Sequence, residues 1–139
     1  MRLDITTPFA SVLGTDEATQ VRAEDSTGAF GVLRGHADFL TVLNVSVLTW
    51  RDGGNREHYV AVRGGMLSVR DGRSVRVATP EAVPGEDLHT LEVDVLARFR
   101  RQVDEERAAH TADQRLHLAA IRQIMRLLRP EPGHAPTVG

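Results

Sequence analysis

The chain has 139 residues, a formal net charge of −2 and 41% hydrophobic residues, which is the balance of a folded globular domain. It contains no cysteine, which excludes disulfides and thiolate metal sites, and no apolar run of membrane-spanning length. The slightly acidic balance does not favour nucleic-acid binding.

The first part of the chain, up to about Thr79, has the period-two pattern of β-strands. Short apolar runs such as RLDIT, VLNVSVLTWR, HYVAVR, MLSVR and SVRVAT are separated by turn residues, among them the segments 52–55 and 71–72. The spacing predicts an N-terminal antiparallel β-sandwich over residues 1–86.

Beyond Pro84 and Gly85, apolar residues recur at helical spacing. One stripe holds Leu88, Leu91, Val95, Phe99 and Val103. Asp87 is the expected N-cap of this first helix.

A second helix is predicted to begin near Thr111, because Thr111 and Gln114 have the spacing of a capping box. Residues 87–129 are therefore predicted to form a C-terminal antiparallel two-helix hairpin. Residues 130–139, rich in proline and without periodicity, are predicted to be a disordered tail.

The second helix carries a cationic edge. Arg115, Arg122, Arg126 and Arg129 fall within an arc of about 60°, with apolar residues on the opposite side. Such an edge is either a solvated helix face or a contact for an acidic partner.

The stretch GAFGVLRGHADFL invites a chemical interpretation that its spacing does not support. Gly28, Gly31 and Gly35 do not match the dinucleotide loop G-x-G-x-x-G, and a Walker loop needs a lysine, which the chain lacks. The six histidines show no metal-ligand spacing, and no serine or threonine sits in a nucleophile elbow. The glycines are predicted to shape tight backbone between strands, with Phe30, Val32, Leu33, Phe39 and Leu40 entering the core.

The stretches GAFGVLRGHADFLTVL, YVAVRGGMLSVRDGRSVRVAT and PGEDL resemble the epsilon-subunit family of bacterial F-type ATP synthases, called delta in mitochondria. The matching positions are Gly28, Phe30, Gly31, Val32, Gly35, His36, Phe39, Leu40, Thr41, Gly64, Gly65, Leu67 and Val69. The resemblance extends from Arg2 to about Arg129.

The resemblance implies a non-catalytic central-stalk subunit that couples rotation of the membrane c-ring to ATP synthesis through gamma. It implies peripheral attachment, through the complex, to the cytoplasmic face of the bacterial inner membrane. The implied c-ring or gamma interface candidates are Glu24, Asp25, Ser26, Gly28, Ala29, Phe30, Arg34 and His36.

In the family, the helical hairpin can extend along gamma towards the catalytic beta subunits and inhibit ATP hydrolysis. The resemblance thus makes Arg115, Arg122, Arg126 and Arg129 the candidates for contact with beta. Some relatives bind ATP through the motif I/L-D-x-x-R-A, and the nearest stretch here is VDVLAR, with alanine and arginine interchanged. That exchange turns the guanidinium by about 100° around the helix axis, so we expect no nucleotide cofactor. The scattered histidines lead us to expect no metal.

Two other interpretations remain open at this point. The chain could be a stand-alone β-sandwich interaction module with a helical docking hairpin, or a small enzyme that uses His36. Co-purification with gamma and a c-ring distinguishes the first from a synthase subunit, and turnover lost in His36→Ala would favour the second.

Overall fold

The computed structural model describes residues 1–128, which form eight β-strands followed by a helical region. The strands are β1 (Arg2–Thr6), β2 (Ser11–Thr15), β3 (Gln20–Asp25), β4 (Gly28–Leu33), β5 (Phe39–Arg51), β6 (Glu57–Arg70), β7 (Ser74–Ala78) and β8 (Ala82–Gly85). The helical region comprises α1 (Leu88–Thr90), a π-helical segment (Leu91–Val95) and α2 (Leu96–Leu128). A β-sandwich followed by helix confirms the predicted order of the two parts.

The strands form a sandwich-like sheet in the order β2-β1-β7-β6-β5-β3-β4, with β8 paired to β6. All pairs are antiparallel except β1 with β7, which run parallel from Arg2 opposite Ser74 to Thr6 opposite Ala78. The prediction of a wholly antiparallel sandwich is therefore wrong at this pair. The sequence hides it because β1 and β7 are brought together from distant parts of the chain rather than by a local turn.

The long strands β5 and β6 form a ribbon that serves both layers of the sandwich. They pair from Phe39 opposite Val69 to Arg51 opposite Glu57. Their inward side chains join a single core, to which β1, β3, β4 and β7 also contribute. The large side chains that are almost completely buried there include Leu3, Ile5, Leu48, Leu67 and Val21.

The middle of the ribbon is irregular, which the sequence pattern does not predict. Gly64 and Gly65 adopt positive φ values of 73° and 111°, and a Cβ at Gly65 would collide with the carbonyl oxygen of Ala78. The inward side of β6 changes there from Val60 and Val62 to Leu67, so the alternation shifts by one residue. HYVAVR and MLSVR, predicted as separate strands, are consequently two halves of one strand.

One outer face of the ribbon is covered by the chain itself. Leu91, Leu96 and Phe99 pack on Ala61, and all four are buried. Val45, Val47, Tyr59, Val83 and Val95 pack around this second cluster. Leu91, Val95 and Phe99 of the predicted apolar stripe are thus confirmed on the packing face, which also contains Leu96, a residue outside that stripe.

Asp87 caps the helical region as predicted. Its Oδ1 accepts a hydrogen bond from the backbone N–H of His89 at 3.0 Å, and its Oδ2 accepts one from the Thr90 hydroxyl at 2.8 Å.

The predicted hairpin is wrong, because α2 continues without a break through the expected turn. Thr111 does not cap a helix here: its hydroxyl donates to the carbonyl oxygen of Arg107 at 2.9 Å, the back-bonding geometry of a threonine inside a helix. Nε2 of Gln114 also lies 2.9 Å from Nε2 of His110, four residues earlier, which is the spacing of one helical turn. Residues 87–128 contain neither glycine nor proline, so nothing in that segment forces the chain to reverse.

The described residues divide into two units on either side of the boundary between Val103 and Asp104. In the first unit, the beginning of the helical region packs with the sandwich. In the second, all residues from 104 to 128 are exposed. The domain boundary at residues 86 and 87 stays a prediction, and the predicted tail 130–139 lies outside the described residues. No helix in the described part of the chain is long and apolar enough to cross a membrane.

Candidate functional site

The other outer face of the ribbon is not covered by any element within residues 1–103. Leu40 and Val42 on β5 lie opposite Ser68 and Met66 on β6. The exposed fractions are 63% for Leu40, 65% for Val42 and 47% for Met66. Their neighbours in sequence, such as Leu43 and Leu67, point inward and are buried, so the exposure follows from strand alternation.

This face continues across β7 and β1. Arg76 on β7 is the register partner of Ser68 on β6 and of Asp4 on β1, and Ala78 is the partner of Met66 and of Thr6. We call the resulting surface the open sheet face. It consists of Asp4, Thr6, Leu40, Val42, Met66, Ser68, Arg70, Arg76 and Ala78. Exposed Leu, Val and Met side by side on one face of a sheet are typical of a surface that a partner covers.

The glycine stretch holds one end of the open sheet face in place. The N–H of Gly35 donates to the carbonyl oxygen of Gly72 at 2.8 Å. A Cβ at Gly72, whose φ is 61°, would lie 2.7 Å from the Cα of Gly35, so the two backbones touch directly. The carboxylate of Asp38 accepts a hydrogen bond from the Asp71 N–H at 2.9 Å. The loop before β5 and the turn before β7 are therefore joined directly by hydrogen bonds and backbone contact.

An aromatic contact joins this loop to the β3–β4 hairpin. The ring of Phe39 meets that of Phe30 edge-on, with 5.5 Å between centroids, and that of His36 at 5.8 Å. Nδ1 of His36 lies 2.6 Å from the carbonyl oxygen of Ala37.

Asp25 organises the turn between β3 and β4. The residue is only 6% exposed. Its Oδ1 accepts hydrogen bonds from the Thr27 hydroxyl at 2.6 Å and the Thr27 N–H at 2.9 Å, and its Oδ2 accepts one from the Thr41 hydroxyl at 2.7 Å. These hydrogen bonds, the one from the Thr27 hydroxyl foremost, hold the pKa of the Asp25 carboxyl below its ordinary value. The carboxylate therefore links the β3–β4 hairpin to β5, and both of its oxygens accept hydrogen bonds within the fold.

The structure brings the predicted interface candidates to two neighbouring turns. Those of the β3–β4 hairpin are Glu24, Asp25, Ser26, Gly28, Ala29 and Phe30, and those of the following loop are Arg34 and His36. Asp25 is buried, Phe30 and His36 are half-buried, and the other five are exposed.

Sequence reasoning missed the apolar part of the site. Leu33, Phe39 and Leu40 were expected in the core, but all three are exposed, and only Val32 of that set is fully buried. Alternation along FLTVL places Leu40 and Val42 on the same side of the strand, but both sides carry apolar residues, so the sequence does not say which side faces outward.

The helical candidates lie in the second compact unit. Arg115, Arg122 and Arg126 are exposed on α2, whereas Arg129 lies outside the described residues. In the first unit, Arg98 of the stretch VDVLAR contacts Glu81, with Nη2 at 3.3 Å from Oε1. Across residues 1–128, no three His, Asp or Glu side chains are grouped closely enough to hold a metal ion.

The sandwich matches a known family model. The model for the β-sandwich domain of the ATP synthase delta/epsilon chain matches residues 1–85. ATP synthase epsilon chain 2 of Paraburkholderia xenovorans is 42% identical over 135 residues, which are 97% of this chain and 97% of that protein. ATP synthase epsilon chain 2 of Cereibacter sphaeroides is 44% identical over 133 residues, covering 96% and 91% of the two chains.

Solved structures show the same similarity. A chain in the cryo-EM structure of Euglena gracilis mitochondrial ATP synthase, OSCP/F1/c-ring in rotational state 1, matches with a TM-score of 0.57 at 25% identity. The match covers 76% of this chain and 62% of that one. A chain from the Tetrahymena thermophila mitochondrial ATP synthase central stalk and c-ring matches with a TM-score of 0.54 at 18% identity, covering 74% and 90%, and shares the fold.

We expect Asp25→Asn to make the protein less stable at neutral pH and to flatten its acid sensitivity. Because the pKa of Asp25 is lowered in the folded state, its contribution is fully present above the unfolded pKa of about 4 and is lost as pH falls through the lower folded value. Melting temperatures measured from neutral pH to about pH 3 should fall less steeply in Asp25→Asn than in the wild type. Asp16→Asn, at an exposed carboxylate, is the control, and equal slopes for Asp25→Asn and the wild type would contradict the assignment.

Proposed function

The chain belongs to the ATP synthase delta/epsilon family and is a subunit of a rotary ATP synthase, and from this premise we propose how it acts. It is a non-catalytic subunit of the central stalk that couples c-ring rotation to ATP synthesis through gamma. The open sheet face and the turns beside it are its docking surface. The subunit attaches to the cytoplasmic face of the bacterial inner membrane through the complex alone.

The single observation that carries this proposal is the difference between the two outer faces of the β5–β6 ribbon. One is covered by Leu91, Leu96 and Phe99, while the other leaves Leu40, Val42 and Met66 exposed. When a partner covers such a face, the apolar area removed from water stabilises the complex by about 25 cal/mol per Å². The similar Euglena chain comes from an assembly that contains F1 and the c-ring, which supports partners of that kind.

A binding role also fits the residues of the glycine stretch. Gly35 and Gly72 support the loop through backbone contact, and His36 directs Nδ1 to the carbonyl of Ala37. Asp25 is engaged with Thr27 and Thr41. Because each of these groups stabilises the local structure, the glycine stretch acts as a scaffold and a docking surface and carries out no chemistry.

The docking role is tested by adding the chain to the ATP synthase of its own organism from which this subunit has been removed. We expect the wild type to co-purify with gamma and the c-ring, and the double variant Leu40→Ser, Met66→Ser to be lost on washing. Val93→Ser is the matched control, since Val93 is also about half exposed, at 53%, but lies on the helical region. Retention of the double variant at wild-type level would contradict docking through the open sheet face.

The exposed arginines of α2 support a second, regulatory part of the proposal. Arg115, Arg122 and Arg126, together with Arg129 outside the described residues, form the contact with acidic groups of the catalytic beta subunits and restrain ATP hydrolysis. Several charge-assisted contacts made at once outweigh the small value of one exposed ion pair.

Replacing these four arginines with glutamine should raise ATP hydrolysis by the whole complex while leaving assembly intact, because glutamine keeps the helix propensity and removes the charge. If the arginine contacts stabilise a minor inhibited state by about 1.4 kcal/mol, their removal lowers the population of that state about tenfold. Arg107→Gln on the same helix is the control. If the four-arginine variant hydrolyses at the wild-type rate while deletion of residues 104–139 activates, the helix inhibits by bulk and its arginines do not.

A further inference from the structure

We infer that the partner covering the open sheet face is a protein segment that places carboxylates opposite Arg70 and Arg76. The inference rests on the proposed docking function and adds the chemistry of the contact. The carrying observation is a pair of guanidinium groups beside an apolar surface, neither of which forms an ion pair within residues 1–128.

Arg70 and Arg76 flank the apolar part of the open sheet face. Arg76 lies with Leu40, Met66 and Ala78 along a groove of about 630 Å³. Arg70 lies with Asp38, Phe39 and Leu40 along a second groove of about 300 Å³. Leu40 and Ser68 line both, so the two grooves form one continuous surface with an arginine in each part.

The carboxylates on this surface already have partners. Asp4 receives Nη2 of Arg2 at 2.9 Å and two further contacts from Nε of Arg2 at 3.1 and 3.2 Å. Asp38 accepts the backbone N–H of Asp71. Within residues 1–128, neither Arg70 nor Arg76 forms an ion pair. Within these residues the two guanidiniums are therefore without a carboxylate partner, while Asp38, bound to a neutral N–H, keeps its charge in the same groove as Arg70.

Covering this surface sets a requirement on the partner. Excluding water from Leu40 and Met66 also removes water from the neighbouring guanidiniums, and a buried guanidinium without a partner is costly. Carboxylates are the best partners for a buried guanidinium, because the planar guanidinium binds them through two parallel hydrogen bonds. The apolar centre of the surface favours a protein segment with apolar side chains between those carboxylates.

The test measures binding of the purified chain to the ATP synthase complex that lacks this subunit, at about 50 mM and about 300 mM salt, on either side of physiological ionic strength. Arg70→Gln, Arg76→Gln should bind about tenfold more weakly at low salt and depend less on salt than the wild type. Arg56→Gln is the matched control, since Arg56 is an exposed arginine in the turn at the far end of the ribbon. Arg70→Lys, Arg76→Lys keeps the charge and should recover part of the affinity. Melting temperatures check that each variant is folded.

The outcomes separate this inference from the function on which it rests. If the wild type binds and the glutamine variant binds equally, with the same salt dependence, the acidic partner is contradicted while docking stands. If the wild type does not bind at all, the proposed function fails and the inference with it. Two other occupants of the face are tested directly. Arginine-dependent binding to phosphatidylglycerol vesicles would identify a lipid surface as the occupant and contradict the acidic protein segment. An arginine-dependent dimer of the free chain in ultracentrifugation would identify a second copy of the chain and contradict it equally.

Discussion

The structure depends above all on the pairing of β5 with β6. The two strands remain paired from Phe39 opposite Val69 to Arg51 opposite Glu57, and every other part of the sandwich attaches to this ribbon directly or through a neighbour. Because side chains alternate along a strand, the ribbon supplies one core and two separate outer faces. The shift at Gly64 and Gly65 lets both halves direct their inward side chains into the same core.

The two outer faces differ in what covers them, and this difference relates the fold to its function. The chain covers one with the beginning of its helical region, where Phe99 is completely buried. It leaves the other to Leu40, Val42 and Met66, edged by Arg70 and Arg76. The docking that we propose for this ATP synthase subunit explains why an apolar surface is left uncovered, since a partner would cover that surface on assembly.

The sequence predicts much of this fold because its local signals are strong. Turn residues at Asp71 and Gly72, and the capping residue Asp87, act on their immediate neighbours, and the structure confirms them. The parallel pair of β1 with β7, by contrast, joins segments far apart in sequence, with no local pattern to announce it. The hairpin prediction was wrong for a related reason. Thr111 can either cap a helix or lie inside one, and the absence of glycine and proline from residues 87–128 favours the helix interior.

The candidate site divides in the same way. His36 was predicted from sequence as an interface candidate, and in the structure it lies, with Gly35, in the loop beside the open sheet face. The apolar positions were misjudged, because Leu40 and Val42 have the composition of core residues, and only the strand geometry shows that they face outward. An interaction surface built from apolar side chains has no sequence signature of its own, so it becomes visible once the buried and exposed sides of β5 are known.

The central claim is that the open sheet face is exposed in the free chain and covered in the complex. Oxidation of Met66 to its sulfoxide, followed by mass spectrometry in the free chain and in the assembled ATP synthase, tests it most directly. The account predicts that Met66, 47% exposed in the free chain, is oxidised readily there and protected after assembly. Equal oxidation of Met66 in the free chain and in the complex would contradict it.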